Sequence, residues 1–205
     1  MISFVYFDVG GVLAIDFSGN DGFTQLGKEM GVPEGHMGEF MQLFIDEERA
    51  CCTTDPIDML LPHLEKTFGI TIPQSYSLLD GFVRHFHRND SIWPVVEYAK
   101  SKARVGTLTN MYVNMFRELE AKHVIETVAW DVMVDSTKVG YIKPDKEIFL
   151  LAQEKAGVPA GEILFVENSQ KHIDAARELG WQTFLYDPKH PEASSEALLD
   201  YLKNA

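Results

Sequence analysis

The segment FDVGGVLA, residues 7–14, decides the fold because it joins a buried strand to a glycine-rich turn. The apolar residues 2–7 that lead into it predict a short buried strand. This strand delivers a single carboxylate, Asp8, into a turn that contains Gly10 and Gly11. Asp8 therefore lies at the carboxyl end of its strand, which is the edge where open α/β sheets bind their ligands.

Further strands and helices alternate along the rest of the chain. Helical patterns at 145–156 and 169–179 each place apolar side chains on one face, with Ser169 as the expected N-cap and Gly180 as the expected C-terminal cap of the second. Strands that alternate with helices predict βαβ units. We therefore expect an α/β fold in which helices flank a parallel sheet. Its predicted strands are residues 4–7, 104–108, 130–134, 163–166 and 182–186.

The region between the first strand and the remaining ones carries only helical periodicity. Its apolar residues recur three and four positions apart, as in Met37, Phe40, Met41, Phe44 and Ile45. We expect a small all-helical cap at 16–88, inserted after the first strand, and an α/β core domain formed by 1–15 and 89–205. A cap in this place would cover the ligand-binding edge of the sheet, where it can exclude water and select substrates.

Bulk composition narrows the function. The 205 residues are 45% hydrophobic and 24% charged, with a formal net charge of −13, which argues against a nucleic-acid partner. No apolar run reaches the roughly 20 residues of a membrane helix, and no basic leader precedes the first strand. Cys51 and Cys52 are adjacent, so a disulfide framework is not expected. These features predict a cytoplasmic protein without a membrane partner.

Polar residues stand at four places where a predicted strand ends or a predicted helix begins. Asp8 ends the first strand, Lys143 precedes a helix, and the pairs Thr109-Asn110 and Glu167-Asn168 end two later strands. Each feature alone is most simply explained by turn or cap chemistry. Their joint placement at the ends of successive strands instead predicts one site that contains carboxylates, a lysine and hydroxyl or amide groups.

Four segments resemble, in order, the motifs of the haloacid dehalogenase-like (HAD) hydrolase superfamily. They are FDVGGVL from residue 7, GTLTN from residue 106, GYIKPDKEIF from residue 140 and ILFVENSQKHIDAARELG from residue 163. The resemblance covers 1–15 and 90–190, and the insertion point is that of the helical-cap subclass. It implies a Rossmann-like α/β core with a helical cap.

The resemblance also implies a role for each strand-end residue. Asp8 would be the nucleophile that attacks a phosphate ester, and Lys143 would stabilise the negative charge of the nucleophile and the phosphoryl group. The expected cofactor is Mg²⁺, which suits oxygen ligands. Its implied ligands are Asp8, the Gly10 carbonyl and a side-chain oxygen of Glu167 or Asn168. The implied phosphate-binding groups are Thr109, Asn110 and the backbone N–H groups at Gly10 and Gly11.

Two residues depart from the usual pattern of this superfamily. Gly10 stands where phosphatases carry a second aspartate that acts as general acid and base, and loss of such a group typically lowers the rate by about 10²–10⁴-fold. Glu167-Asn168 stands where two aspartates are common, which predicts weaker magnesium binding. Both departures bear on the activity and not on the fold.

Three functions are compatible with these residues. The first is a phosphatase for a small phosphorylated metabolite such as a sugar phosphate, because the first motif resembles that of a sugar-1-phosphate phosphatase branch. The second is a metal-free 2-haloacid dehalogenase, which also lacks the second aspartate; however, His172 replaces an aspartate of that group, and no basic residue lies between Asp8 and Asn20. The third is a catalytically impaired binding protein on the same fold.

The predicted cap offers candidate residues without assigned roles. Arg49 is expected to pair with surface carboxylates, and His85 and His87 could reach a substrate. The spacing of these two histidines resembles a zinc motif, but no matching ligand cluster accompanies it. The sequence leaves open whether the chain is a monomer or a homodimer.

Overall fold

The centre of the protein is a five-stranded parallel sheet, as the sequence predicts. The computed structural model describes residues 1–205. The strands in chain order are β1 (Phe4–Phe7), β2 (Ala14–Ile15), β3 (His87–Arg88), β4 (Arg104–Thr109), β5 (Val132–Asp135), β6 (Ile163–Glu167) and β7 (Gln182–Leu185). The main sheet has the order β5-β4-β1-β6-β7, and all its neighbouring pairs are parallel. Its central strand β1 therefore brings Asp8 between the ends of β4 and β6.

A short antiparallel ladder was not predicted. Strand β2 pairs with β3, so that Ala14 lies opposite Arg88 and Ile15 opposite His87. Both strands have only two residues, too few for a recognisable alternation of apolar and polar side chains. The ladder joins the points at which the chain leaves the main sheet after β1 and returns to it.

Helices fill the segment between β2 and β3. They are α1 (Gly22–Glu29), α2 (Met37–Asp46), α3 (Glu48–Cys51), α4 (Leu61–Phe68) and α5 (Leu78–Arg84), with 3₁₀ turns at Glu34–His36 and Ile57–Leu60. The apolar stripe of α2 is buried only in part: Phe40 and Phe44 are in the core, whereas Met41 and Ile45 are 43% and 62% exposed. Phe40 and Phe82 pack in the same apolar cluster as Val5 of the sheet, so these helices share a core with it.

The remaining helices cover the two faces of the main sheet. They are α6 (Trp93–Lys100), α7 (Met115–Ala121), α8 (Ser136–Val139), α9 (Lys146–Ala156), α10 (Gln170–Glu178) and α11 (Pro191–Asn204). The side chains of β1 alternate between the faces: Val5 and Phe7 contribute to the cluster that includes α6 and α11, and Phe4 and Tyr6 to the cluster that includes α9 and α10. Both faces are thus buried, which explains the continuous apolar strands.

The ends of the predicted helices differ slightly from the sequence prediction. Ser169 occupies the N-cap position of α10, but its side chain makes no capping hydrogen bond. Gly180 follows this helix with φ +83°, a conformation that suits a glycine after a helix end. None of the helices is both long and apolar enough to cross a membrane.

Candidate active site

Three charged side chains from separate parts of the chain meet at the carboxyl edge of the sheet. Lys143 Nζ lies 2.9 Å from Asp8 Oδ1 and 2.6 Å from Glu167 Oε2. Asp8 directly follows β1, Glu167 ends the adjacent strand β6, and Lys143 lies in the loop before α9. All three are buried, Lys143 and Glu167 almost completely. The fold therefore brings together the nucleophile candidate, the lysine and the first residue of the Glu167-Asn168 pair.

The three side chains of this cluster shift one another's pKa values. Burial and the Glu167 charge raise the pKa of Asp8, and the ammonium of Lys143 opposes this rise. Burial would raise the pKa of Glu167 too, but Lys143 and His172 outweigh it and lower the pKa of Glu167. Burial acts to lower the pKa of Lys143, yet the two carboxylates raise it. Two carboxylates thus share a single ammonium, and Glu167 is its closer partner.

Glu167 is held by several groups besides Lys143. Its Oε1 atom accepts hydrogen bonds from the backbone N–H groups of Asn168 and Ser169, each at 2.9 Å. Its Oε2 atom also lies 3.2 Å from His172 Nδ1 on α10. Both oxygens of Glu167 are therefore engaged within the protein, and the side chain anchors Lys143.

Asn110 positions the loop that carries Lys143. The Asn110 side chain accepts a hydrogen bond from the Lys143 N–H at 2.7 Å and donates one to the Lys143 carbonyl at 2.9 Å. This double hydrogen bond engages the amide that was predicted to bind substrate. Thr109, at the end of β4, is buried beside the cluster with 1% of its surface exposed.

The glycine turn after Asp8 folds back on itself. The Gly11 N–H donates to the Ala14 carbonyl at 2.8 Å, so this N–H, predicted to bind phosphate, is already engaged. Gly11 has φ +75°, and a Cβ atom on it would lie only 2.0 Å from Asn168 Nδ2. Glycine is therefore required at position 11 both for the backbone conformation and for the close approach of Asn168.

Asp16 also belongs to this site, although the sequence assigned it no role beyond the start of the cap. It follows the short strand β2 and lines the same pocket as Asp8, Gly10 and Glu167. Its Oδ1 atom accepts a hydrogen bond from the Ser18 N–H at 2.8 Å, and burial raises its pKa. No local sequence pattern marks Asp16, because its approach to the site depends on the fold of the preceding turn.

The pocket above the cluster has a volume of about 430 Å³ and a lining of both polar and apolar residues. Polar residues of the sheet edge contribute one part of the lining. Apolar side chains contribute another, namely Phe17, Phe23, Phe82, Phe86, Met111, Tyr112 and Met115. Such a volume is suited to a small-molecule ligand.

The other candidates from the cap lie outside this pocket. Arg49 of α3 makes a bidentate ion pair with Asp145, at 2.8 and 3.0 Å, and so links this helix to the loop that follows Lys143. His85 Nε2 lies 3.2 Å from Glu29, and the exposed His87 is part of β3. His172, in contrast, lines the pocket.

Comparison with known proteins assigns the chain to a family. The family model of the haloacid dehalogenase-like hydrolases matches residues 5–180. The chain belongs to this family. The match covers β4, β5, β6 and all but the first residue of β1, and it includes the residues of the charged cluster.

A much longer protein is among the relatives of this HAD-like hydrolase. Bifunctional epoxide hydrolase 2 of Sus scrofa is 23% identical over 196 residues, which are 87% of this chain and 35% of that protein. The chain thus spans about a third of the length of this relative.

Two solved structures illustrate the range of the fold. The HAD family enzyme BT-2542 of Bacteroides thetaiotaomicron, in complex with magnesium and inorganic phosphate, has a TM-score of 0.72 and 18% identity, covering 91% of this chain and 94% of that one. The L-2-haloacid dehalogenase of Xanthobacter autotrophicus, with chloropropionic acid covalently bound, has a TM-score of 0.65 and 17% identity, covering 91% and 78%. At these identities the similarity establishes the fold and not the reaction.

The residues of this HAD-like hydrolase fit a magnesium ion, with one carboxylate and two amide oxygens as the protein ligands. No group of three or more His, Cys, Asp and Glu side chains is arranged to bind a metal, so amide oxygens would have to complete a site. The Gly10 carbonyl accepts no backbone hydrogen bond, and the Asn168 side chain makes its one hydrogen bond through its NH₂ group, to Ser18. With Glu167 engaged elsewhere, Asp8, Gly10 and Asn168 are the oxygen donors that suit a hard cation.

Proposed function

We propose that this HAD-like hydrolase is a magnesium-dependent phosphatase that transfers the phosphoryl group of a small metabolite to Asp8. The observation that carries the proposal is the contact of Asp8 with Lys143, at 2.9 Å, at the base of a pocket of about 430 Å³. A carboxylate attacking a phosphate ester must overcome repulsion between two anions, and a buried ammonium beside it reduces that repulsion.

Each residue of the cluster has a distinct role in the proposed reaction. Asp8 attacks phosphorus through a carboxylate oxygen, and water later hydrolyses the resulting aspartyl phosphate. Lys143 holds the carboxylate in place, while Glu167 and Asn110 hold Lys143. Mg²⁺ bound by Asp8, Gly10 and Asn168 would supply further positive charge against the phosphoryl oxygens. This additional charge matters because Lys143 is shared between two carboxylates.

A 2-haloacid dehalogenase is the second candidate. It is favoured by the apolar part of the pocket lining and by Gly10, because halide leaves without a proton. Against it, the pocket lining contains no arginine that could bind the carboxylate of a haloacid; its lysine, Lys171, is 58% exposed and lies 4.0 Å from Glu48. The phosphatase is better supported, since it uses the Asp8–Lys143 pair for a transferring group that carries more negative charge.

A paired assay decides between these two reactions. With Mg²⁺ present, we expect the protein to release 4-nitrophenol from 4-nitrophenyl phosphate, and we expect excess EDTA to reduce that rate by at least about 10²-fold, because the charge of the metal is removed. Addition of Mg²⁺ after EDTA should restore it. Release of chloride from 2-chloropropionate in the presence of EDTA, without phosphatase activity, would instead establish the dehalogenase.

We further infer that the organic group of the substrate is largely apolar. Phe17, Phe23, Phe82 and Phe86 come from the expected cap range, line the pocket together with Asp8, and pack against one another. A sugar would bring hydroxyl groups against these rings and leave them without hydrogen-bond partners, which is unfavourable. An aryl or alkyl group would bury apolar area there. This differs from the sugar phosphate suggested by the first motif.

Two substrates with similar leaving groups test this preference. Benzyl phosphate and glucose 6-phosphate both release a primary alcohol, but only the first has an apolar ring. We expect kcat/KM to be about 10–200-fold higher for benzyl phosphate, the range that apolar pocket contacts provide. Phe23→Leu should reduce the ratio of the two kcat/KM values, because it removes part of the apolar lining. A higher kcat/KM for glucose 6-phosphate would contradict an apolar substrate while leaving the phosphatase activity established.

A further inference from the structure

The carboxylate of Asp16 occupies the space that a side chain on residue 10 would need. A Cβ atom built on Gly10 would lie 2.8 Å from Asp16 Oδ2 and 3.6 Å from its Cγ atom. The first distance is shorter than real Cβ contacts, so the place beside Gly10 is already filled by a carboxylate. This place is two residues from Asp8 and on the pocket side of the turn.

The fold of the turn explains how Asp16 reaches Gly10 although six positions separate them in the chain. The Ala14 N–H donates to the Val9 carbonyl at 2.9 Å, and the Ala14 carbonyl accepts from the Gly11 N–H. These hydrogen bonds close the turn, and Ala14 forms a bridge with Gly10. The short strand β2 then continues to Ile15, and Asp16 follows directly beside the turn.

Asp16 lines the pocket, and only one of its carboxylate oxygens accepts a hydrogen bond. Its Oδ1 atom is held by the Ser18 N–H at 2.8 Å, which fixes the carboxylate plane at one end. Its Oδ2 atom is the one nearest to Gly10. A carboxylate that is anchored through one oxygen and presents the other to a pocket is suited to exchanging a proton with a bound molecule.

The chemistry of a phosphate ester requires such a group unless the leaving alcohol is strongly acidic. Lys143 and Glu167 are engaged with one another, and the His172 ring lies against Glu167. Glu48, also in the pocket lining, has a side chain that is 36% exposed and lies 4.0 Å from Lys171 on the outer side. Asp16 is therefore the pocket carboxylate that lies beside Gly10, two residues after the nucleophile, and makes no ion pair with the cluster.

We propose that Asp16 is the general acid and base of this enzyme; the proposal rests on the phosphatase function proposed above. As the Asp8 oxygen–phosphorus bond forms and the bond to the leaving oxygen breaks, the proton on Asp16 passes to that oxygen, and an alcohol departs. Asp16, now a carboxylate, then takes a proton from a water molecule while the oxygen of that water attacks phosphorus. The bond to Asp8 breaks, inorganic phosphate is released, and both carboxyl groups return to their initial forms.

The test compares leaving groups in an Asp16→Asn variant at saturating Mg²⁺. For benzyl phosphate, whose alkoxide needs a proton, we expect kcat/KM to fall by about 10²–10⁴-fold. For 4-nitrophenyl phosphate, whose phenolate leaves unprotonated, kcat/KM should fall by less than about 10-fold. Its kcat should fall more, with a rapid burst of about one nitrophenolate per enzyme, because hydrolysis of the aspartyl phosphate has lost its base.

A relocation of the carboxylate provides the stronger test. Asp16→Gly clears the space beside Gly10, and Gly10→Asp in that background places a carboxylate there from the other side of the turn. We expect kcat/KM for benzyl phosphate to be about 10-fold or more higher in the double variant than in Asp16→Gly. Asp21→Asn, in the exposed segment just before α1, is the matched control and should leave both substrates unaffected.

Two results would overturn the role of Asp16. One is an equal loss of kcat/KM for both substrates in Asp16→Asn together with weaker Mg²⁺ binding by calorimetry, which would make Asp16 a metal ligand. The other is an unchanged kcat/KM for benzyl phosphate in Asp16→Asn, which would show that no proton passes from Asp16 to the leaving group. A wild-type protein that hydrolyses neither ester would instead reject the phosphatase function itself, so the two failures are distinguishable.

Discussion

Replacement of Asp8 by asparagine is expected to lower the turnover of 4-nitrophenyl phosphate by about 10⁴-fold or more, the scale of loss when a nucleophile is removed. The amide has nearly the shape of the carboxylate, and its oxygen can still accept the hydrogen bond from the Val9 N–H. However, an amide oxygen is a poor nucleophile and carries no charge. Lys143 keeps its contact with Glu167 at 2.6 Å, so the variant should remain folded.

The measurement is steady-state turnover at saturating Mg²⁺, with Asp200→Asn on the exposed face of α11 as the control for an aspartate-to-asparagine change. A second measurement locates the covalent intermediate. Acid quenching of the wild-type protein during turnover, followed by peptide mass analysis, should place one phosphoryl group on the peptide that contains Asp8. Retained turnover in Asp8→Asn, or a phosphoryl group on another residue, would exclude Asp8 as the nucleophile.

Replacement of Lys143 by methionine is expected to cause the largest loss of stability. Methionine is close to lysine in length and removes only the ammonium, which leaves Asp8 and Glu167 buried without their shared cation. Removal of one partner from a buried ion pair typically lowers the free energy of unfolding by about 3–5 kcal/mol. The second carboxylate adds repulsion between like charges to this loss.

Lys100→Met is the matched control, because Lys100 pairs with Glu97 at 3.5 Å on the exposed side of α6. Exposed pairs contribute about 0–1 kcal/mol, so urea denaturation should separate the two variants clearly. A double variant, Lys143→Met with Glu167→Gln, should regain part of the lost stability because it removes one uncompensated charge. If Lys143→Met is no less stable than Lys100→Met, the cluster does not depend on the ammonium.

The charged cluster was predictable because of two simple rules. Strands buried on both faces are continuous apolar runs, so the ends of β1, β4 and β6 were visible as the points where polar residues begin. Parallel strands also end at one edge, so polar groups at their ends must be near one another. These rules bring Asp8, Thr109 and Glu167 to one edge without any knowledge of side-chain contacts.

The division of roles within the cluster was not predictable in this way. Glu167 and Asn168 are neighbours in sequence but have different partners. The Glu167 side chain contacts Lys143 and His172. The Asn168 side chain packs against Gly11 and Ser18. Asn110 lines the pocket, where it was expected to bind substrate, and its side chain also holds the backbone of Lys143, which the sequence did not predict. Such choices depend on which hydrogen-bond partners lie within about 3 Å, and these partners are distant in sequence.

The amino-acid sequence by itself determined the parallel sheet, the helical insertion after β1 and the set of polar residues at the sheet edge, because these follow from the period and the boundaries of apolar residues. Only the tertiary structure decided that Asp16 lies beside Gly10 and that one ammonium serves two carboxylates. The physical reason is that both features arise from closure of a turn and from contacts between separate elements. Apolar periodicity carries no information about either.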